Sequence, residues 1–137
     1  MVVKLMDNNS LVCSISHPTM DPQAITDCLG IDPDVSQKYG EVITTPEGEK
    51  LSGAYKFTKW SVRESGLSSE AFLERLSALL DFLSVNEDSM ISLHNKGACC
   101  SVYFNLANPQ SVGFIVPVEL IEKMAKMKIS FGIEIFS

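Results

Sequence analysis

Apolar and polar residues exchange along this chain with two different periods. Leu11, Cys13 and Ile15 alternate with Val12, Ser14 and Ser16, the two-residue period of a strand with one buried face. A connector, His17-Pro18-Thr19-Met20, leads to Asp21-Pro22. An Asp carboxylate accepts a free backbone N–H at a helix start, and proline suits the first helical turn. The helix opened in this way buries Ile25, Cys28 and Leu29, and Gly30 ends it in the left-handed conformation. Asp32-Pro33-Asp34 then reads as a turn-prone loop. Residues 39–45 read as a short strand, closed by the turn Thr45-Pro46-Glu47-Gly48-Glu49.

The next strand, over 54–63, changes parity partway. Tyr55 and Phe57 are odd, whereas Trp60 and Val62 are even, and a β-bulge near Thr58-Lys59 would set all four on one face. Ser68 then caps the longest helix. Leu67 before it and Phe72 four residues on form a hydrophobic staple. Phe72, Leu73, Leu76, Leu79, Leu80 and Leu83 make one apolar stripe, with Glu70, Glu74, Arg75 and Asp81 turned to water. Residues 90–93 and 98–106 read as a hairpin turning at Asn95-Lys96-Gly97, with Cys100, Val102, Phe104 and Leu106 on one face. Asn108-Pro109-Gln110 breaks the chain, and 113–116 is a short extended run. A last helix from Pro117 turns Val118, Ile121, Met124 and Ala125 inward, and a last strand over 129–136 alternates Ile129, Phe131, Ile133 and Ile135.

The resulting order is β-α-β-β-α-β-β-α-β in a single domain spanning 1–137. Strands mixed with three helices indicate an α+β fold: a mixed or antiparallel sheet with the helices packed mainly on one face. The first two helices and their flanking strands trace a ferredoxin-like core. The expected interior comprises Leu11, Ile15, Ile25, Leu29, Phe57, Trp60, Phe72, Leu76, Leu80, Val102, Phe104, Ile121 and Ile133.

Composition narrows the function. The 137 residues carry 17 acidic and 11 basic side chains, a net charge of −6. That balance argues against a nucleic-acid binder, which needs clustered Lys and Arg, and it suits a basic protein partner. No apolar stretch approaches the ~20 residues that span a bilayer, so no membrane association is expected, and 1–10 lack the pattern of a signal peptide. Cys13, Cys28, Cys99 and Cys100 match no disulfide framework. Reduced thiols and a cytoplasmic location follow from that reading.

Phosphate-binding glycine loops, HExxH, GxSxG and paired CxxC motifs are absent from the sequence, so no catalytic residue, metal ligand or cofactor is assigned. The candidate binding residues are His17, Asp32, Asp34, Glu41 and Trp60. His17 shares a strand face with Cys13, but a metal would need two further converging ligands, and a core thiol beside a connector histidine is the simpler reading. Asp32, Asp34 and Glu41 could hold a cation or act as paired carboxylates, although their spacing is also that of a solvated loop. Trp60, between Lys56, Lys59 and Arg63, could be a recognition platform, but a lone Trp is more often a core anchor. His94 and Cys99 form no nucleophile pair without a third, orienting group.

Several of these marks occur together: Asp21-Pro22 before Ile25-Thr26, Leu29-Gly30-Ile31, Lys38-Tyr39-Gly40-Glu41, Trp60-Ser61, and the closing Ile133-Glu134-Ile135-Phe136. In this the chain, from about residue 11 to its end, resembles the bacterial domain of unknown function family 4279 (DUF4279). Tyr rather than Phe is the usual last aromatic there. The resemblance implies a small, stand-alone cytoplasmic bacterial domain and carries over no activity. Gly30 and Gly40 are expected at turns, and Lys38 and Glu41 as an ion pair.

The first expectation is a non-enzymatic protein-binding module, in its specific form an immunity-type protein whose acidic surface masks a basic partner such as a nuclease. The second is a small-ligand or metal-dependent enzyme, with a pocket between sheet and helices that draws on His17, Asp32, Asp34, Glu41 or His94. A third is a homodimer joined through the last strand.

Overall fold

The computed structural model describes residues 9–107 and 113–136. Five strands form one sheet in the order β2-β5-β1-β6-β7, and two more form a separate ribbon, β3-β4. In chain order the elements are β1 (Asn9–His17), α1 (Pro22–Leu29), β2 (Val35–Gln37), β3 (Val42–Thr44), β4 (Lys50–Ala54), β5 (Thr58–Leu67), α2 (Ser69–Ser84), α3 (Glu87–Asn95), β6 (Cys99–Ala107), α4 (Val118–Lys126) and β7 (Ile129–Phe136). The described residues thus hold four helices, not three. β1, α1, β2, β5, α2 and β6 trace a β-α-β-β-α-β core with every neighbouring pair antiparallel, but its second strand is β2, whereas the strand expected over 39–45 is β3 of the ribbon. The β3-β4 ribbon is inserted between β2 and β5. β7 is added beside β6 in parallel, after the α4 crossover.

Register sorts the sheet into two faces. Leu11 lies opposite Phe104, Cys13 between Val62 and Val102, Ile15 between Trp60 and Cys100. These residues join Ile25 and Leu29 of α1, and Phe72, Leu76, Leu80 and Leu83 of α2, in one interior. The helices therefore cover this face. At its centre the rings of Phe72 and Phe104 meet edge to face at 4.0 Å between centroids, the favourable arrangement for aromatic quadrupoles. The opposite face carries Ser61, Ser14, Ser101 and Ser130 side by side across four strands.

The caps are where the sequence puts them. Asp21 accepts from the Gln23 N–H at 2.9 Å, and Gly30 ends α1 with φ +70°. Ser68 accepts from the Ala71 N–H at 3.0 Å at the start of α2.

Four expectations need correction. Residues 90–93 are not a strand but part of α3, with Met90 and Leu93 buried at helical spacing. Gly97, read as a hairpin turn, ends that helix: its N–H bonds His94 O and the Ala98 N–H bonds Leu93 O, the paired bonds of a Schellman motif.

The stretch 54–63 is two strands, not one bulged strand. β4 pairs with β3 and β5 begins at Thr58, which leaves Phe57 outside the core. The bulge lies at the other end of β5. Asn9 and Leu11 face Leu67 and Glu64, so β5 has one residue extra there. Gly66 with φ +76° accommodates it, and the parity shift lets Leu67 face inward.

α4 is rotated from the expected face. Leu120, Met124 and Met127 are buried, whereas Val118, Ile121 and Ala125 are exposed. Finally, Ile133 leaves the core list with Phe57 and Ile121: it lies on the edge strand, beside buried Phe104, and is itself exposed. The expected break at Asn108-Pro109-Gln110 lies outside the described residues.

Candidate functional site

Between α1, the 30–34 loop and the turn after β2 lies a polar cleft of about 250 Å³ whose walls include Asp21, Thr26, Asp32, Lys38 and Glu41. Local chemistry explains each wall. Asp21 must stand at the helix start to cap it, and its other oxygen takes the Lys38 ammonium at 3.0 Å. The Gln23 N–H and then Lys38 hold the Asp21 carboxyl below its ordinary 3.8. Lys38 is in turn raised above 10.5, chiefly by Asp21 and only slightly by Glu41. The expected Lys38–Glu41 ion pair is therefore replaced by Lys38–Asp21. A tight turn brings Glu41 round, its N–H bonding Lys38 O at 3.1 Å, with Gly40 at φ +84°.

The five candidate residues separate. Asp32 and Glu41 share the cleft, and neither carboxylate makes a hydrogen bond among the described residues. Asp34 instead accepts the Arg63 backbone N–H at 2.6 Å, tying the loop to β5. His17 closes its own connector: Nδ1 accepts from Thr19 and Met20 N–H at 3.0 and 2.8 Å, so the proton is assigned to Nε2, which donates to Lys96 O at 2.7 Å. Trp60 is fully buried and donates Nε1–H to Thr26 Oγ1 at 3.0 Å. Trp60 thus stands behind the cleft wall, not on the surface. His94 is exposed in the last turn of α3 and does not line the cleft.

Sequence reasoning missed the distribution of the charge, although the signal was countable. Residues 21–49 hold seven carboxylates (Asp21, Asp27, Asp32, Asp34, Glu41, Glu47 and Glu49) against one lysine, a balance of −6. That equals the balance of the whole chain, so the remaining 108 residues, with ten acids and ten bases, are neutral. In the fold this segment comprises α1, β2, β3 and the ribbon's turn, and β4, paired with β3, brings Lys50 beside it. Elsewhere acids and bases balance in number, and three of the acids form ion pairs. Glu64 meets Arg75 at 2.7 Å, Asp81 meets Lys123 at 2.5 Å, and Glu87 lies 3.6 Å from Lys126.

A second concavity, about 390 Å³, opens between the sheet and α2. Leu11, Ile31, Val62, Leu79 and Phe82 make it apolar, Cys13 lies on its wall, and Arg63, Glu64 and Arg75 stand at its charged side. The neighbouring Cys13 thiol, and burial after it, push the Cys100 thiol well above its ordinary value. All four cysteines are free thiols. Among the described residues no group of three or more His, Cys, Asp or Glu side chains is placed to hold a metal ion. None of the helices described is long and apolar enough to cross a membrane.

Fold and surface together define an α+β protein with a ferredoxin-like core, one appended parallel strand and an acidic lobe at the β2 side. The chain belongs to the family described as domain of unknown function (DUF4279), whose sequence model matches residues 11–136. No curated protein and no solved structure matches the chain.

Proposed function

We propose that the chain is a non-enzymatic protein-binding module that docks a basic partner through its acidic lobe. The observation that supports this reading is the concentration of the entire net charge in residues 21–49. A predominantly acidic lobe on a neutral body steers an oppositely charged protein into one orientation and speeds the encounter, by about tenfold to 10³-fold in favourable cases. Its specific form is immunity-type: a cytoplasmic protein that covers the basic surface of a toxin such as a nuclease. The four free thiols agree with a reducing compartment.

Asp32 and Glu41 are the residues to test, because their carboxylates make no hydrogen bond among the described residues and the fold does not lean on them. Immobilised wild-type chain should capture a basic protein from lysate of the source cell at low salt and lose it at moderate salt. The Asp32→Asn/Glu41→Gln variant should capture markedly less. Equal capture by both chains would contradict the reading.

One observation favours a second reading, the small-ligand protein or enzyme: the apolar concavity beside Arg75 has the ~300–1,000 Å³ volume of ligand sites. It would take an apolar molecule with an anionic head. The probe is anilinonaphthalene sulfonate, whose fluorescence should rise saturably with the wild-type chain and not with Ala78→Trp, which fills the space. An unchanged response in that variant would exclude the concavity as the site.

A further inference from the structure

β7 is the outer strand of the sheet, and among the described residues it pairs with β6 alone. It carries none of the devices that protect a sheet edge: no proline, no inward charge and no bulge. β2, at the other edge, is three residues long and β7 is eight. On the helix-covered side of β7, Ile133 and Ile135 are 51% and 66% exposed. Beside them α4 exposes Val118 and Ile121, and Ile115 precedes it at 82%. Between α4 and β7 runs an apolar groove of about 350 Å³, with Val116, Ile121, Met124 and Phe131 among its walls. Strict alternation along β7 and the 118–121–125 stripe of α4 are patterns of buried elements. Among the described residues, Ile133, Ile135 and that stripe of α4 are left facing water.

We infer that a second copy of this chain covers this face, with β7 pairing antiparallel to its counterpart about a two-fold axis normal to the sheet. Three features favour a copy over an unlike partner. Such an axis keeps both helix layers on the same side, so the isoleucines of each β7 close the α4 groove of the other. The strand is complementary to itself in charge. Lys128 stands at its start and Glu134 near its end, so reversal sets the acid of one copy toward the lysine of the other. Its length also suffices: eight residues at roughly 3.3 Å each give an edge of roughly 26 Å. The product is one continuous ten-stranded sheet, with the two acidic lobes at its far ends and free for other partners.

Light scattering on the full chain over a wide concentration range tests this. The wild-type species should have twice the 15.0 kDa chain mass, and high salt should leave that mass unchanged. Ile135→Lys should raise the dissociation constant at least tenfold, since a buried charge without a partner is strongly unfavourable in an interface. Ile121→Glu, on the exposed surface of α4, should do the same without touching β7, and circular dichroism of both variants should match wild type. A wild-type chain that is monomeric at every concentration overturns the inference and assigns the face to another occupant. A dimer that survives both substitutions overturns it as well, because the contact would then lie elsewhere. Neither outcome bears on lysate capture by the acidic lobe.

Discussion

Trp60 and Thr26 show how a single hydrogen bond links the interior to the cleft. A fully buried indole N–H without an acceptor is costly, and Thr26 Oγ1, on the cleft wall, supplies that acceptor. Thr26→Val keeps the shape and removes the oxygen. Urea unfolding should find it destabilised by about 1–3 kcal/mol, the cost of a stranded buried donor. In a Trp60→Phe background the same change should cost little, because the donor has gone. Equal costs in the two backgrounds would show that the bond contributes nothing. The sequence made Trp60 a candidate for recognition, with a core anchor as its rival, and the structure places it in the core. Nothing in the order of residues announced Thr26 as its partner, since the two lie 34 positions apart.

At the scale of elements, α1 is held to the turn after β2 by one carboxylate that serves two donors. Asp21 titrates below its ordinary 3.8 in the fold, so its stabilisation is present above pH 3.8 and is lost as pH falls through the lower folded value. Lys38 titrates above 10.5, so its share is present below pH 10.5 and is lost as pH rises through the higher folded value. The start of α1 should therefore loosen at both extremes and stay firm between them. The Gln23 amide resonance, followed by NMR, should titrate with a midpoint below 3.8. A midpoint at or above that value would mean that Asp21 gains nothing from its two partners.

Elements whose signals are local were legible in the sequence. Asp21, Gly30 and Ser68 mark helix ends by their own chemistry, and Phe72, Leu76, Leu80 and Leu83 repeat over about three turns. Elements whose signals are shared were not. A glycine at positive φ ends a hairpin or a helix equally well, so Gly97 could not separate α3 from a strand. Met90 and Leu93, three apart, carried the better hint. α4 has an apolar arc wider than one contact face, with Val118, Leu120, Ile121, Met124 and Ala125 on it, and only the tertiary contacts of Leu120, Met124 and Met127 choose which part is buried.

The whole molecule is asymmetric: acidic at the β2 side of the sheet, apolar along the β7 side, and balanced in charge outside residues 21–49. Asp32 and Glu41 could be named from sequence as candidates. Their meeting with Asp21 and Lys38 could not, because it depends on a turn at Gly40 and on a helix cap used twice. Total charge also concealed its own location. A value of −6 describes a uniformly soluble protein as well as a neutral one with an acidic lobe. Those two descriptions predict different kinetics. The central claim is that the lobe steers a basic protein, and the direct measurement is the association rate of the captured partner as a function of ionic strength. Wild type should slow steeply as salt rises and the Debye length shrinks below about 10 Å. Asp32→Asn/Glu41→Gln should start slower and show a shallower dependence, whereas Glu70→Gln/Glu74→Gln on α2 should behave as wild type. Identical salt slopes for all three chains would contradict the account.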